Sequence, residues 1–259
     1  MADKTIGFIG GGRVTRILIG GWAKAGTLAQ QVVVADPDPV VLEHLSQAYP
    51  HIHTVANATN EAAAQDVVFL AVHPPTIATV LAEVRGTLRS DSVLVSLAPK
   101  LTIERLADML DGFVRIARMI PNAPSIVGAG FNPITFCQQL PPAEQDMLQD
   151  LFAPLGTCPI VAEDKLEAYA IITAMSPTYF WPQLYALEAL AESFGLSAAA
   201  AEEAIRQAMF GTLATMFDSG LERAAVEDLI SVKPLAEPIA TVTEEYRTRL
   251  TALMEKIRP

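Results

Sequence analysis

The chain has 259 residues, of which 51% are hydrophobic and 18% charged, and its formal net charge is −11. The high apolar content excludes an intrinsically disordered chain, and the acidic balance argues against a nucleic-acid partner. Cys137 and Cys158 are too few for a disulfide-stapled secreted fold. We therefore expect both to be buried thiols in a reducing compartment, the cytoplasm.

The sequence predicts neither a signal peptide nor a membrane partner. Glycines at 10–12, with Arg13 and Arg16, interrupt the apolar stretch near the start. Residues 168–187 carry no charge over about the length of a membrane span. Pro177 and Pro182 lie near the middle of that segment, so we interpret it as a helix buried in a core or a dimer interface.

The first part of the chain alternates short apolar runs with amphipathic stretches, which is typical of a parallel α/β sheet with right-handed crossovers. Continuous apolar runs indicate strands buried on both faces. We predict strands at 5–9, 31–35, 67–72, 92–97, 114–119, 131–137 and 158–161, and helices at 13–25, 39–49, 76–84, 103–110 and 142–151.

After about residue 162 the strand-like runs end. Residues 165–194, 197–218 and 241–257 have helical character, and Ser197 is a candidate N-cap. We therefore predict two domains, a dinucleotide-binding domain at 1–162 and an all-helical domain at 163–259. The second is too apolar to face water alone, which predicts a homodimer or a higher homo-oligomer.

A glycine-rich turn after the first strand carries the strongest chemical signal. Gly10 and Gly12 have the spacing that makes a tight turn and lets the backbone approach a pyrophosphate at the start of a helix. Asp36 ends the second strand, where a carboxylate accepts ribose hydroxyls and favours NAD over NADP. Arg13 could reach a phosphate and weaken that preference, and Thr15 stands where the motif usually has Gly or Ala. The alternative is a glycine-rich turn of another α/β protein.

Several segments resemble pyrroline-5-carboxylate reductases. The opening IGFIGGGRVTRILIGG is similar to the family's IGFIGAGNMA start, and residues 118–124, RMIPNAP, are close to its RxMPNTP. Asn60, the AVHP at 71–74, Pro177 with Tyr179, and QAMFG at 207–211 also match. The resemblance implies a Rossmann-type doubly wound α/β sheet followed by an all-helical dimerisation domain. It implies an enzyme of proline biosynthesis that reduces a cyclic imine with NAD(P)H.

The motif and the resemblance together indicate the candidate site. His73 replaces the family's lysine and is expected to line the cofactor cleft. The cofactor-binding candidates are Gly10, Gly12, Arg13, Val14, Asp36, Asn60, Ala71, Val72, His73, Pro74, Ala98 and Asn122.

The substrate half of the family pattern is altered. The family's SPGGTT loop becomes SVKPLAEP at 231–238, its SxAAG becomes SLAPK at 96–100, and its GSGPAY becomes AMSPTY at 174–179. Glu237 could stabilise an iminium or repel a carboxylate, and Lys100 or Lys233 could hold that carboxylate. Tyr179 is the candidate proton donor, or a tyrosine buried in its helix.

Three functions remain open from the sequence: reduction of pyrroline-5-carboxylate, reduction of a different imine or keto group, and dinucleotide binding by a homodimer without turnover. His51 and His53 would share one face of a strand, but no third ligand lies near them in sequence, so we expect no metal site.

Overall fold

The computed structural model describes residues 4–258, apart from the side chain of Pro74. Nine strands form a seven-stranded and a two-stranded sheet within this part of the chain. The strands are β1 (Ile6–Ile9), β2 (Val32–Asp36), β3 (His53–Ala56), β4 (Val67–Leu70), β5 (Val93–Ser96), β6 (Ile116–Met119), β7 (Gly130–Phe131), β8 (Ile134–Phe136) and β9 (Gly156–Thr157).

Eleven α-helices are described within residues 4–258. They are α1 (Arg13–Ala25), α2 (Pro39–Ala48), α3 (Thr59–Ala63), α4 (Pro74–Val84), α5 (Ile103–Met109), α6 (Pro142–Phe152), α7 (Leu166–Tyr169), α8 (Pro177–Ser193), α9 (Ala198–Asp218), α10 (Arg223–Asp228) and α11 (Ala236–Ile257). Short 3₁₀ turns lie at Ala123–Val127, Ala153–Leu155 and Glu163–Lys165, and a π-helical turn lies at Ala170–Ala174.

The large sheet has the order β3-β2-β1-β4-β5-β6-β8. Every pairing is parallel except that of β6 with β8. The first six strands thus have the doubly wound order of a Rossmann fold, and the predicted fold class is confirmed. All residues of β1, β4, β5 and β6 are buried, as expected for a parallel sheet covered on both faces.

An aromatic cluster fills the core beside the central strands. Phe8 on β1 stacks on Phe69 of β4 with ring centroids 4.6 Å apart. Trp22 of α1 packs against both rings, and its indole N–H donates to the carbonyl oxygen of Leu151 over 2.8 Å. Because that bond satisfies the one polar group of the indole, the large ring is buried without leaving an unpaired donor.

Helix ends follow the local chemistry of the sequence. Gly26 ends α1 in the left-handed conformation, φ 69°, where glycine pays no steric penalty. Thr102 caps α5 by accepting from the N–H of Arg105. Ser197 accepts from the N–H of Ala200, so its predicted role as the N-cap of α9 is confirmed.

The elements differ from the sequence predictions where proline interrupts the chain. The strand predicted at 131–137 is two short strands on either side of Asn132 and Pro133. The strand predicted at 158–161 is reduced to β9 at Gly156–Thr157 and an isolated bridge between Ile134 and Ile160. Since proline has no N–H to give to a ladder, Pro133 and Pro159 break both runs.

The helices after residue 162 also differ from the sequence predictions. The helix predicted at 165–194 is split into a 3₁₀ turn, α7, a π-helical turn and α8. None of the helices described in residues 4–258 is both long and apolar enough to span a membrane. Helix α11 begins at Ala236, before the predicted start at residue 241.

The chain divides into two compact units, one of residues up to 175 together with 254–258, and one of residues 176–253. The division falls later than the sequence-based boundary at residue 162. Leu166, Glu167, Ala170 and Ile171 are buried in the first unit, which places the segment after residue 162 with the sheet. The second unit consists of α8, α9, α10 and most of α11.

Candidate functional site

A cleft of about 660 Å³ opens at the carboxyl ends of β1, β4 and β5. It lies where the strand order changes direction between β1 and β4, the crevice in which open α/β sheets bind ligands. Its lining residues are Gly11, Gly12, Arg13, Val14, Arg16, Val40, Val41, His44, Ala71, Val72, His73, Leu97, Ala98 and Pro99. Seven of the twelve predicted cofactor-binding residues are therefore together in one cleft.

The glycine turn at the start of α1 has the geometry that a dinucleotide needs. Gly10 has φ 104°, and a Cβ there would lie 2.5 Å from the carbonyl oxygen of Ala71. Gly12 differs, because a Cβ there would meet no atom within 4 Å and would project into open space. Gly10 is thus required by the fold itself, whereas Gly12 leaves room at the N-terminus of a 13-residue helix.

Thr15 stands at the last position of the glycine motif. Its side chain is fully buried, and its hydroxyl donates to the carbonyl oxygen of Gly10 over 2.6 Å. The hydroxyl therefore ties the first turn of α1 to the glycine turn.

Asp36, at the end of β2, is held in place by the backbone. One carboxylate oxygen accepts from the N–H of Gly11 over 2.7 Å, and the other accepts from the N–H of Asp38 over 2.8 Å. The carboxylate is therefore oriented beside the glycine turn before any ligand arrives. Each oxygen keeps a further lone pair with which it can accept a hydroxyl.

Sequence reasoning did not identify two cationic or titratable side chains that line the cleft. Arg16 lines the cleft together with Arg13, and His44 contributes from α2. Arg13 and Arg16 are three residues apart in α1, which places them on neighbouring positions of one helix face. That spacing could have identified Arg16, whereas His44 has no local signal.

Four predicted cofactor residues that the structure describes in full are not among the lining residues: Gly10 and Asp36, which adjoin the cleft at the glycine turn, and Asn60 and Asn122. The side-chain oxygen of Asn60 accepts from the hydroxyl of Thr87 over 2.9 Å. Asn122 is buried, donates its amide to the carbonyl oxygen of Thr173 and accepts from the N–H of Phe131. Asn122 therefore joins the loop after β6 to the π-helical turn. The side chain of Pro74 lies outside the described part of the chain.

The loop after β5 supplies Leu97, Ala98 and Pro99 to the cleft and then turns at Lys100. Lys100 has φ 73°, in the left-handed region where a non-glycine residue costs about 1–2 kcal/mol. The family pattern has glycine at this position. The N–H of Lys100 donates to Oε1 of Glu167 over 3.2 Å, and the side chain of Lys100 is exposed.

A buried charge cluster lies behind this loop and was missed from the sequence. Arg118 of β6 donates from Nη2 to Oε1 of Glu167 over 2.6 Å and from Nη1 to Oε1 of Glu163 over 2.9 Å. Arg118 and Glu167 are each 1% exposed. The signal that could have indicated it is an arginine inside an otherwise apolar strand, since a buried charge needs a partner.

The remaining catalytic candidates lie in the second unit. Tyr179, in the first turn of α8, packs its ring against Tyr246 at a centroid distance of 5.6 Å. Burial, reinforced by Tyr246, raises the pKa of Tyr179. Glu237 is exposed and stands in the first turn of α11, which corrects its placement in a loop. Lys233 is also exposed and precedes that helix.

The histidines considered as metal ligands lie elsewhere. Nε2 of His53 is 3.3 Å from Oε2 of Glu61, and both side chains are more than half exposed. In the described part of the chain, no three His, Cys, Asp or Glu side chains are grouped so that they could hold a metal ion.

Comparison with known proteins shows what the chain resembles. A family described as "NADP oxidoreductase coenzyme F420-dependent" matches residues 5–100. The pyrroline-5-carboxylate reductase of Escherichia coli is 28% identical over 229 residues, which cover 88% of this chain and 85% of the relative. That of Haemophilus influenzae is 29% identical over 82% of this chain and 78% of its own. The resemblance expected from the sequence motifs is confirmed.

Solved structures bear out the fold. The crystal structure of Plasmodium falciparum pyrroline carboxylate reductase with NADP bound has a TM-score of 0.75 and 20% identity. The match covers 99% of this chain and 95% of that one. The combination of a doubly wound sheet and a helical second half is therefore common to both proteins.

Proposed function

We propose that the chain is an NAD(P)H-dependent reductase of the carbon–nitrogen double bond in a cyclic imine, as the pyrroline-5-carboxylate reductases that it resembles are. One observation carries the proposal most strongly: the cleft at the strand-order switch contains an open glycine position and a helix N-terminus, and the fixed carboxylate of Asp36 is bonded to Gly11 of its lining. The similarity to reductases over most of the chain supports the reaction type.

The residues present fit a dinucleotide. The open space at Gly12 allows the pyrophosphate to approach the N–H groups at the start of α1, and Arg13 and Arg16 add positive charge to the same cleft. Ala71, Val72, Leu97 and Ala98 provide apolar wall on the sheet side. A bound reduced nicotinamide would supply the hydride, and the protein's part is to position the reacting atoms and exclude water.

We propose that Asp36 favours NADH by accepting the ribose hydroxyls. The hydrogen bonds from Gly11 and Asp38 hold its carboxylate at the end of β2, where a 2′-phosphate would be repelled. Arg13 and Arg16 offset part of that repulsion, because both line the same cleft. We therefore expect a moderate preference rather than an absolute one.

We propose substrate-handling roles for three side chains. Tyr179 is protonated at neutral pH, as an ordinary tyrosine is, and burial only raises its pKa further, so we propose that it donates a proton to the imine nitrogen. Lys100 follows the segment that lines the cleft and can attract a substrate carboxylate. Glu237 at the start of α11 can stabilise an iminium or repel a carboxylate.

A second candidate substrate follows from the segment before α11. Lys233 and Glu237 replace the glycine-rich family loop with charged side chains, and Glu237 is incorporated into a helix. A helix cannot wrap a carboxylate with its backbone as a glycine loop can. This observation favours a different imine, or a keto compound, over pyrroline-5-carboxylate.

The second unit supports a homodimer. Within residues 176–253 only Ala201 is buried, whereas Phe194, Phe210, Phe217 and Val232 are each at least 70% exposed. A helical unit without a core of its own needs an apolar partner surface, and a second copy supplies an identical one. We place the dimer in the cytoplasm, since Cys137 and Cys158 are free thiols.

The first experiment measures consumption of NADH and of NADPH by the purified protein with pyrroline-5-carboxylate. Rapid turnover supports the proposal with the family's substrate. Absence of turnover with that imine and with a panel of other cyclic imines and keto acids, while NADH still binds, would refute a reductase and favour a dinucleotide-binding homodimer.

A further inference from the structure

The segment that joins β5 to α5 forms one wall of the cleft. Leu97, Ala98 and Pro99 line the cavity directly. The N–H of Leu97 donates to the carbonyl oxygen of Leu70 on the neighbouring strand, which fixes the beginning of the segment. The position of the remainder depends on how the chain turns after Pro99.

That turn is made by a residue that does not favour it. Lys100 has φ 73°, and left-handed backbone is disfavoured for a residue with a Cβ. Something outside the segment must therefore hold the turn. The N–H of Lys100 donates to Oε1 of Glu167, which lies 67 residues further along the chain.

Glu167 is itself held rigidly. The same oxygen that accepts from Lys100 also accepts from Nη2 of Arg118, and both charged side chains are 1% exposed. Charges this deeply buried are little screened by salt, and each depends on the other for neutralisation. Among the residues that the structure describes, Arg118 Nε has no hydrogen-bond partner, so the two carboxylates are what hold the guanidinium.

A second carboxylate holds the far end of the same segment. Oε1 of Glu163 accepts from Nη1 of Arg118 and from the N–H of Ile103, the first residue of α5. Arg118 thus connects two glutamates, and each glutamate holds one backbone N–H of the stretch from Lys100 to Ile103.

We propose that Glu167, oriented by Arg118, is a positioning residue that holds the segment 97–103 in the conformation that binds the nicotinamide dinucleotide. The inference rests on the proposed function, because the ligand is the one assigned to the cleft. Glu167 is not among the residues that line the cleft, and acts through the backbone of Lys100.

The test compares Glu167→Gln with Glu144→Gln. Glu144 also pairs with an arginine of the first unit, Arg115, but neither residue lines the cleft. We expect the dissociation constants of NADH and NADPH to rise about fivefold or more in Glu167→Gln, in the usual range of coupling between sites, and to stay unchanged in Glu144→Gln. Amide hydrogen exchange of the peptide 97–103 should become faster in Glu167→Gln alone.

Recovery of dinucleotide affinity by a second substitution distinguishes a positioning role of Glu167 from a general loss of structure. In Glu167→Gln, adding Lys100→Gly removes the left-handed penalty, so we expect dinucleotide affinity and slow exchange to recover in the double variant. A purely structural effect of losing the buried carboxylate would not recover. If Glu167→Gln fails to fold, Glu167→Asp replaces it, since it keeps the negative charge beside Arg118 and withdraws the oxygen from the N–H of Lys100.

The outcomes separate the inference from the proposed function. Equal affinity and equal exchange in Glu167→Gln and Glu144→Gln would overturn the inference, as would weaker binding that Lys100→Gly does not restore. If the unmodified protein binds neither NADH nor NADPH, the proposed function fails, and exchange of the peptide 97–103 then decides by itself whether Glu167 holds the segment.

Discussion

Replacing either glycine of the nucleotide-binding turn by alanine separates stability from ligand binding. Gly12→Ala places a methyl group where no atom lies within 4 Å. Alanine is a poorer N-cap than glycine by about 0.5–1 kcal/mol, and it reduces the entropy of the unfolded chain by about 0.4–1 kcal/mol. These effects oppose each other, so we expect the free energy of unfolding to change by less than about 0.5 kcal/mol.

The same methyl group should weaken dinucleotide binding strongly. It occupies the space through which a pyrophosphate would reach the N–H groups of α1. Loss of one charge-assisted hydrogen bond costs about 1.5–3 kcal/mol. The dissociation constants of NADH and NADPH should therefore rise about tenfold or more, since each 1.4 kcal/mol is about tenfold.

Gly10→Ala is the matched comparison. Its backbone has φ 104°, and a Cβ would lie 2.5 Å from the carbonyl oxygen of Ala71. Backbone strain of this kind costs about 1–3 kcal/mol, and relief of the clash moves the ends of β1 and β4 apart. We expect a loss of at least about 2 kcal/mol in the free energy of unfolding.

Urea unfolding measures stability, and fluorescence titration with NADH and NADPH measures binding. The reasoning predicts a stable Gly12→Ala that binds poorly and an unstable Gly10→Ala. Unchanged affinity in Gly12→Ala would show that the ligand does not approach this backbone. Equal destabilisation by the two substitutions would contradict the open space at Gly12.

Three further predictions concern specificity, assembly and acid stability. Asp36→Ser should shift the ratio of the dissociation constants of NADH and NADPH about tenfold towards NADPH, because one repulsive charge is removed; an unchanged ratio would exclude Asp36 from reading the ribose. Phe210→Asp should convert the proposed dimer to a monomer in sedimentation velocity, since Phe210 is 72% exposed on α9; an unaltered dimer mass would place the interface elsewhere. Burial opposes ionisation of Asp66, but hydrogen bonds from Thr5 and the nearby Lys4 and Arg89 outweigh it and lower its pKa below 3.8. Asp66 therefore stabilises the fold above its unfolded-state pKa and loses that contribution as the pH falls through its folded-state pKa. Urea unfolding should show a stability gap between wild type and Asp66→Asn that narrows as the pH falls below 3.8, the ordinary carboxyl pKa; a constant gap would argue against this linkage.

Much of the first unit could be predicted because its signals are local. The apolar runs at Val67–Leu70 and Val93–Ser96 are strands, and α1 occupies the predicted residues. Buried parallel strands need apolar side chains on both faces, so the pattern is visible in a few consecutive residues. The short elements β3 and α3 were not predicted as a strand and a helix, because four or five residues provide too little periodicity.

In the candidate site, too, only the residues with a local signal in the sequence could be predicted. Gly10, Gly12 and Asp36 are recognisable because glycine conformation and strand-end chemistry are properties of the chain itself. The roles of Asn60 and Asn122 were not visible, since their hydrogen bonds run to Thr87 and to Thr173, which lie 27 and 51 residues away in the sequence. His44 reached the cleft only through the packing of α2.

The sequence by itself determined the doubly wound sheet, the nucleotide-binding turn and the apolar character of the helical half. Only the tertiary structure decided that Arg118 joins Glu163 and Glu167, which lie 45 and 49 residues away, and that this cluster holds the left-handed turn at Lys100. Local patterns reflect what each residue prefers along its own segment. A buried charge instead takes whichever partner folding brings to it, and no periodicity in the chain records that choice.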